Sequence, residues 1–266
     1  MSGALATRTV AKPWGKDVLP APFHAPVGER IGEIWFEPPA ELPQLLVKYI
    51  FTSEKLSVQV HPSDAQSPGH GKEECWLILD AEPGASLGIG FREPLSPNTM
   101  RAAAIDGSIE RLMQWHSVRR GDFFYIPAGI VHAIGPGVSL IEVQQNSDTT
   151  YRLYDYGRPR QLHLDDAIGV ARGERYPADL RKTVGAGGEA TLVDGPHFRL
   201  DQIEGPPSAD MAAHYADGPL LVIPREGPVH VGGAELVAGQ CGLARSISDV
   251  EAARYAVALL ARPLNG

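Results

Sequence analysis

The sequence predicts a mainly β chain built as two successive β units, and three observations carry that prediction. Glycine (29) and proline (23) punctuate short apolar runs such as LLVKYIF, FFYIPAGIV and SLIEVQQ, each of strand length and bounded by turn residues. Helical periodicity is confined to two stretches. From about Tyr176 the composition shifts toward Gly, Ala and Pro, and AGGEATLVDGPHFRLDQIEGPPSAD reads as strand, turn and strand, opening a second β unit that runs to Ala261.

In chain order, LLVKYIF (Leu45 to Phe51) and LSVQVHP (Leu56 to Pro62) read as strands, the second halted by its proline. GKEECWLIL follows as a third. Ser96 to His116 has apolar residues at helical intervals, with Ser96 or Asn98 placed to cap it, and is read as a helical insertion beside the β core. GDFFYIPAGIVHAIG, from Gly121 to Gly135, reads as a glycine-acid turn, a strand, a Pro-Ala-Gly turn and a further strand that His132 opens. A second helix is expected in LHLDDAIGVARG, ending on its glycine.

With 266 residues the chain can bury one large core or two smaller ones. Its formal net charge of -8 lacks the clustered cationic surplus that a phosphate backbone demands, which excludes general nucleic-acid binding but leaves room for a small anion held by local basic groups. Cys75 and Cys241 are too few and too distant to be a disulfide framework, so a reducing compartment fits. The N-terminal MSGALATRTVAKPWGKD has no apolar segment of signal-peptide length, and no stretch is long and apolar enough to span a bilayer. A cytoplasmic protein without membrane association is expected.

Alternation places the candidate chemistry. In a strand, side chains at i and i+2 share a face, so Gln59 and His61 project together while Val58 and Val60 face a core. The same parity sends Glu74, Trp76 and Ile78 one way and Cys75 and Leu77 the other, which makes Cys75 a buried, inert thiol. The spacing from Gly121 through Pro127 and Gly129 to His132 fits the second conserved motif of the cupin barrel. Gln59, His61, Glu74 and His132 would then surround one divalent ion with neutral donors and a single anion, leaving positions open for water or substrate. Zinc, manganese, iron, cobalt and nickel all accept such a set.

LSVQVHP, GKEECW, PAGIVHAIG and above all EVQQNSDTTYRLYDYGR, together with the opening KPWG and GEIWFE, resemble the class I mannose-6-phosphate isomerases from about Lys12 to Ala171. The resemblance implies a double cupin, mainly β, of two β-barrel or jelly-roll units with a few short helices. Residues 1–158 would form the metal-binding catalytic unit, with the helical insertion near 96–116, and residues 159–266 a second, degenerate one. It also implies one zinc ion per chain on Gln59, His61, Glu74 and His132, an active-site arginine at Arg152, and Lys72 and Asp148 in or beside the catalytic pocket. The expected partner is a small sugar phosphate. The chain departs from the longer members in lacking their large helical domain, and Pro136 stands where general cupins often carry asparagine. His197, His214 and His230 have no carboxylate or Pro-x-Gly-x-x-His pattern nearby, so the second unit is read as structural.

The activity so implied is interconversion of mannose 6-phosphate and fructose 6-phosphate through an enediol, with Lys72 as a candidate base, Asp148 as its orienting or proton-shuttling partner, and Arg152, Arg158 and Lys48 available to a phosphate. A non-catalytic sugar-phosphate-binding cupin with the same ligands is the alternative.

Overall fold

The computed structural model describes residues 3–264 as a stack of antiparallel β layers. A seven-stranded sheet lies near the middle, in the order Arg181–Thr183, Asp122–Ile126, Glu74–Ala81, Val138–Gln145, Leu45–Phe51, Ile31–Phe36 and Thr7–Lys16. A five-stranded sheet faces it, in the order Tyr151–Tyr154, Val58–Val60, His132–Ile134, Ser86–Phe91 and Met113–Ser117. These two sheets form the first unit. The second pairs a six-stranded sheet, from Gly3–Ala4 through Gly242–Ala244, Leu220–Glu226, Val257–Pro263 and Phe198–Glu204 to Ala190–Asp194, with a three-stranded one.

Parity along the strands explains how the layers hold together. Trp76, Ile78, Phe124 and Ile126 point into the first unit and meet Leu87, Ile89 and Ile134 of the five-stranded sheet. Their neighbours Cys75, Leu77 and Phe123 point the other way and pack on Phe198, Leu221, Ile223 and Leu259 of the six-stranded sheet. The middle sheet is thus buried on both faces, which is why Leu45–Phe51 is an almost unbroken apolar run in which every residue is buried. Phe123 is wholly buried at this joint between the units. Phe123→Ala is expected to destabilise the protein by about 3–5 kcal/mol, read as a lower midpoint in urea unfolding.

Two short strands cross between the units. Gly3–Ala4 pairs with Gly242–Ala244 in the six-stranded sheet, while Arg181–Thr183 pairs with Asp122–Ile126 in the seven-stranded one. The helical insertion is shorter than the sequence suggested. Helices span Pro97–Asp106 and Ile109–Leu112, the first capped by Ser96 Oγ accepting from the Thr99 amide at 3.1 Å, but Met113–Ser117 is a strand at the edge of the five-stranded sheet. Its pairing with Ser86–Phe91 overrides the local helical pattern. The second expected helix, Leu164–Val170, stops before its glycine. Gly173 serves a close approach instead: a Cβ there would lie 2.0 Å from the Leu95 carbonyl oxygen. Helix residues Met100, Ala103 and Ala167 cover the outer face of the five-stranded sheet at Val58, Val60 and Leu153. No helix among the described residues is long and apolar enough to cross a membrane.

Candidate metal centre

Three strands of the five-stranded sheet bring three polar residues into one row: Gln59 lies directly opposite His132 on one side and Arg152 on the other. His61 follows at the end of Val58–Val60, where Pro62 ends the strand. Glu74 comes from the facing sheet, as the first residue of Glu74–Ala81. Between the sheets, Glu74 Oε1 lies 3.3 Å from His132 Nε2 and Glu74 Oε2 lies 3.5 Å from His61 Nε2. One donor atom from each of the three residues falls within 4.8 Å of the others, the one such His, Cys, Asp and Glu group among the described residues.

The histidines are oriented from behind. His61 Nδ1 lies 2.8 Å from the Thr149 carbonyl oxygen and His132 Nδ1 lies 2.9 Å from that of Ile130. An Nδ1 proton donated to each carbonyl leaves both Nε2 lone pairs aimed at Glu74, the arrangement that hydrogen-bonded backbone carbonyls impose on metal-binding imidazoles. Burial keeps both rings neutral. It is the main cause of a His61 pKa well below the ordinary value, reinforced by the Lys72 ammonium, and of the lowered His132 pKa, against which Glu74 pulls upward.

Burial would raise the Glu74 carboxyl, but the Lys72 ammonium outweighs it and holds the group below its usual range. Lys72 Nζ stands 2.8 Å from Glu74 Oε2 and 3.3 Å from His61 Nε2. Burial lowers Lys72, and the carboxylates of Glu74 and Glu142 more than reverse this, so the lysine is charged. Both Glu74 oxygens are buried without an aligned hydrogen-bond donor. An anion so placed, between two imidazole lone pairs, is a donor set that a divalent cation satisfies. Gln59 directs its amide nitrogen to His132 Nε2 at 3.3 Å and its oxygen to Ser57 Oγ at 3.1 Å. A coordinating Gln59 requires the opposite amide orientation.

The triad lies beside a cavity of about 280 Å³ lined by Gln59, Lys72, Asp148, Arg152 and the tryptophans Trp14, Trp35 and Trp76. Arg152 reaches it with a buried Nε that has no hydrogen-bond partner, and its guanidinium forms no ion pair with any described residue. Burial is the main cause of its lowered pKa, followed by the charge of Arg160. Asp148 lies exposed at the rim and makes no hydrogen bond with Lys72. Lys48 lines the cavity too, but is committed to Glu142 at 3.0 Å and Gln144 at 2.6 Å and stacks over Trp35. Arg158 turns away from the cavity, donating to the Lys55 carbonyl at 2.6 Å and pairing with Asp155 at 3.0 Å.

Several wall residues escaped sequence reasoning. Arg160 lines the cavity while bridging both oxygens of buried Asp155 at 2.5 and 2.6 Å. Glu142 accepts from Trp76 Nε1 at 2.9 Å as well as from Lys48. The signal for Glu142 was present: in SLIEVQQ it and Gln144 are polar residues of one parity, interrupting the apolar run of Leu140, Ile141 and Val143. Cys75 is buried on the joint side of its strand, where burial pushes its thiol well up.

No protein-family model matches the chain. It is 42% identical over 136 residues to a mannose-6-phosphate isomerase of Streptococcus mutans, a match that takes in 47% of this chain and 43% of that one. It is also 42% identical over 148 residues to a mannose-6-phosphate isomerase of Bacillus subtilis, covering 50% of this chain and 45% of the relative. The chain thus spans about half the length of the curated relatives it matches. Among solved structures, a mannose 6-phosphate isomerase from Bacillus subtilis superposes with a TM-score of 0.75 at 23% identity, over 98% of this chain and 99% of its own. A mutant phosphomannose isomerase from Salmonella typhimurium gives 0.72 at 13% identity, over 98% of this chain and 99% of its own. The chain resembles mannose-6-phosphate isomerases in sequence over about half its length, and along nearly all of it has the cupin-like fold of their solved structures.

Proposed function

We propose that the chain is a metal-dependent aldose-ketose isomerase that interconverts mannose 6-phosphate and fructose 6-phosphate, with one zinc ion held by Gln59, His61, Glu74 and His132. The observation that carries this reading is the buried Glu74 carboxylate, facing two oriented imidazoles beside a cavity that presents the unpaired guanidinium of Arg152. Identity to proteins named for that activity supports it. We assign the chemistry to the first β unit, residues 1–158, and a structural role to residues 159–266.

The reaction moves a proton between C1 and C2 of the open-chain sugar, so the site must position both oxygens, bear negative charge as it develops, and carry a proton. A bound divalent ion supplies Lewis-acid polarisation of the carbonyl. Arg152 adds a fixed positive charge beside the developing enediolate, and half-burial strengthens that contact relative to water. Lys72 is the candidate proton carrier. Were a cation to engage Glu74, the lysine would lose its closest counter-ion and its pKa would shift down toward the range a base needs. Asp148, at the rim, is placed to meet the sugar or a water. Trp14, Trp35 and Trp76 wall the cavity with apolar surface.

Lys72→Gln is expected to lower kcat by about 10²–10⁴-fold while the protein still binds its metal, checked by steady-state kinetics alongside metal analysis. The reading as a whole is tested by turnover of mannose 6-phosphate, coupled to detection of fructose 6-phosphate, on purified metal-analysed protein before and after chelation and zinc restoration. Activity that disappears with the metal and returns with zinc supports the isomerase. A zinc-loaded protein that binds the sugar phosphate without converting it is instead a binding cupin.

A further inference from the structure

A second cavity, also about 280 Å³, opens at the edge of the joint between the two units, and neither the triad nor the isomerase reading uses it. It lies across the middle sheet from the metal centre. Phe51 and Ser139 line it, whereas Ile50 and Glu142, of the opposite parity on the same strands, line the first cavity. Its apolar wall includes Phe23, whose ring packs against Phe51 at 5.2 Å.

Its polar groups are incompletely matched. Ser139 is 2% exposed, and its hydroxyl oxygen has no hydrogen-bond partner. Arg225, on Leu220–Glu226, donates one guanidinium nitrogen to the Gln202 side-chain oxygen, but its Nε is buried and unpartnered and it forms no ion pair with any described residue. Burial is the main cause of the lowered Arg225 pKa, and Glu226, which opposes that shift, is engaged with Arg120 at 2.7 Å. A half-buried cation whose buried Nε has no partner and a buried hydroxyl without a partner are both costly, and a single anion would satisfy the two together. Asp80, which also lines the cavity directly across the strand pair from Ser139, would repel a dianion such as a phosphate monoester. One free positive charge, one free hydroxyl and an aromatic wall suit a single negative charge on an apolar body. At about 280 Å³ the cavity falls just under the ~300 Å³ at which drug-sized ligand cavities begin, so its occupant must be small.

We propose that this cavity binds a small organic monoanion, its carboxylate on Arg225 and the Ser139 hydroxyl and its apolar body against Phe23 and Phe51. Benzoate is the probe, with benzamide as its neutral counterpart, each titrated by calorimetry into the full-length, metal-loaded protein. Saturable binding of benzoate is expected, weakened at least about tenfold by Arg225→Gln, which keeps a donor for Gln202, and also weakened by Ser139→Ala. Binding should persist in Arg152→Ala and under saturating mannose 6-phosphate, and benzamide should bind at least about tenfold more weakly. The proposal is overturned if benzoate binds no more tightly than about 10 mM, if benzamide equals it, or if Arg225→Gln and Ser139→Ala both bind as wild type does. Loss of binding in Arg152→Ala would likewise overturn it by placing the anion in the first cavity. Because these readouts are binding alone, the proposal stands or falls separately from the isomerase activity.

Discussion

Arg152→Ala is expected to leave the metal in place and to reduce kcat by about 10²–10³-fold, the loss seen when a preorganised donor to a developing anion is removed. The separation of effects follows from geometry. Arg152 shares the sheet row with Gln59 but is not among the three groups that converge on Glu74, and its guanidinium is bound to no carboxylate that its loss would strand. Metal analysis on the purified variant, set beside its kinetics, is the check. Equal loss of metal and turnover would show that the arginine supports the ligand set and would remove its assignment to charge stabilisation. A lower kcat with little change in KM would place its contact in the transition state.

Glu74→Gln is expected to do the opposite, failing at the metal before it fails at the chemistry. The substitution keeps the shape of the side chain and removes the only formal negative charge among the described residues that touches both imidazoles. Metal content should fall from near one equivalent to near zero, and turnover by more than about 10³-fold, because the carbonyl loses several kcal/mol of polarisation. A second loss accompanies the first. Lys72 is only 5% exposed, and with Glu74 neutral its ammonium, 2.8 Å away, loses its nearest partner. Stranding one member of a buried pair costs about 3–5 kcal/mol, so even the metal-free variant should unfold at lower denaturant than metal-free wild type. If the two metal-free proteins unfold together, Lys72 has found a substitute in Glu142.

What the sequence made legible was whatever depends on parity within one strand. QVH placed Gln59 and His61 on one side, ECWLIL separated Glu74 from Cys75, and the glycine-proline spacing before His132 put that histidine at the head of its strand. What it left illegible was pairing between segments far apart in the chain. Met113–Ser117 carries a helical pattern and becomes a strand only because Ser86–Phe91 offers it an edge. Arg160 and Arg158 both pair with buried Asp155, but Arg160 lines the cavity whereas Arg158, just upstream, also donates to the Lys55 carbonyl and lies outside it. No local signal distinguishes those two arginines. The inter-unit cavity was equally hidden, since Ser139, Asp80 and Arg225 meet only once the second unit has docked.

The double burial of the middle sheet has a consequence for how this chain can change over generations. Along Glu74–Ala81 and Asp122–Ile126 consecutive residues serve different masters, one facing the interior of the first unit and the next gluing the two halves together. A one-residue insertion or deletion within either strand would exchange these assignments wholesale, sending Glu74 or Trp76 into an oily seam and Cys75 or Phe123 into the interior of the first unit. Length variation in descendants of this sequence should therefore collect in the turns, leaving these two strands fixed in length even where their apolar residues drift.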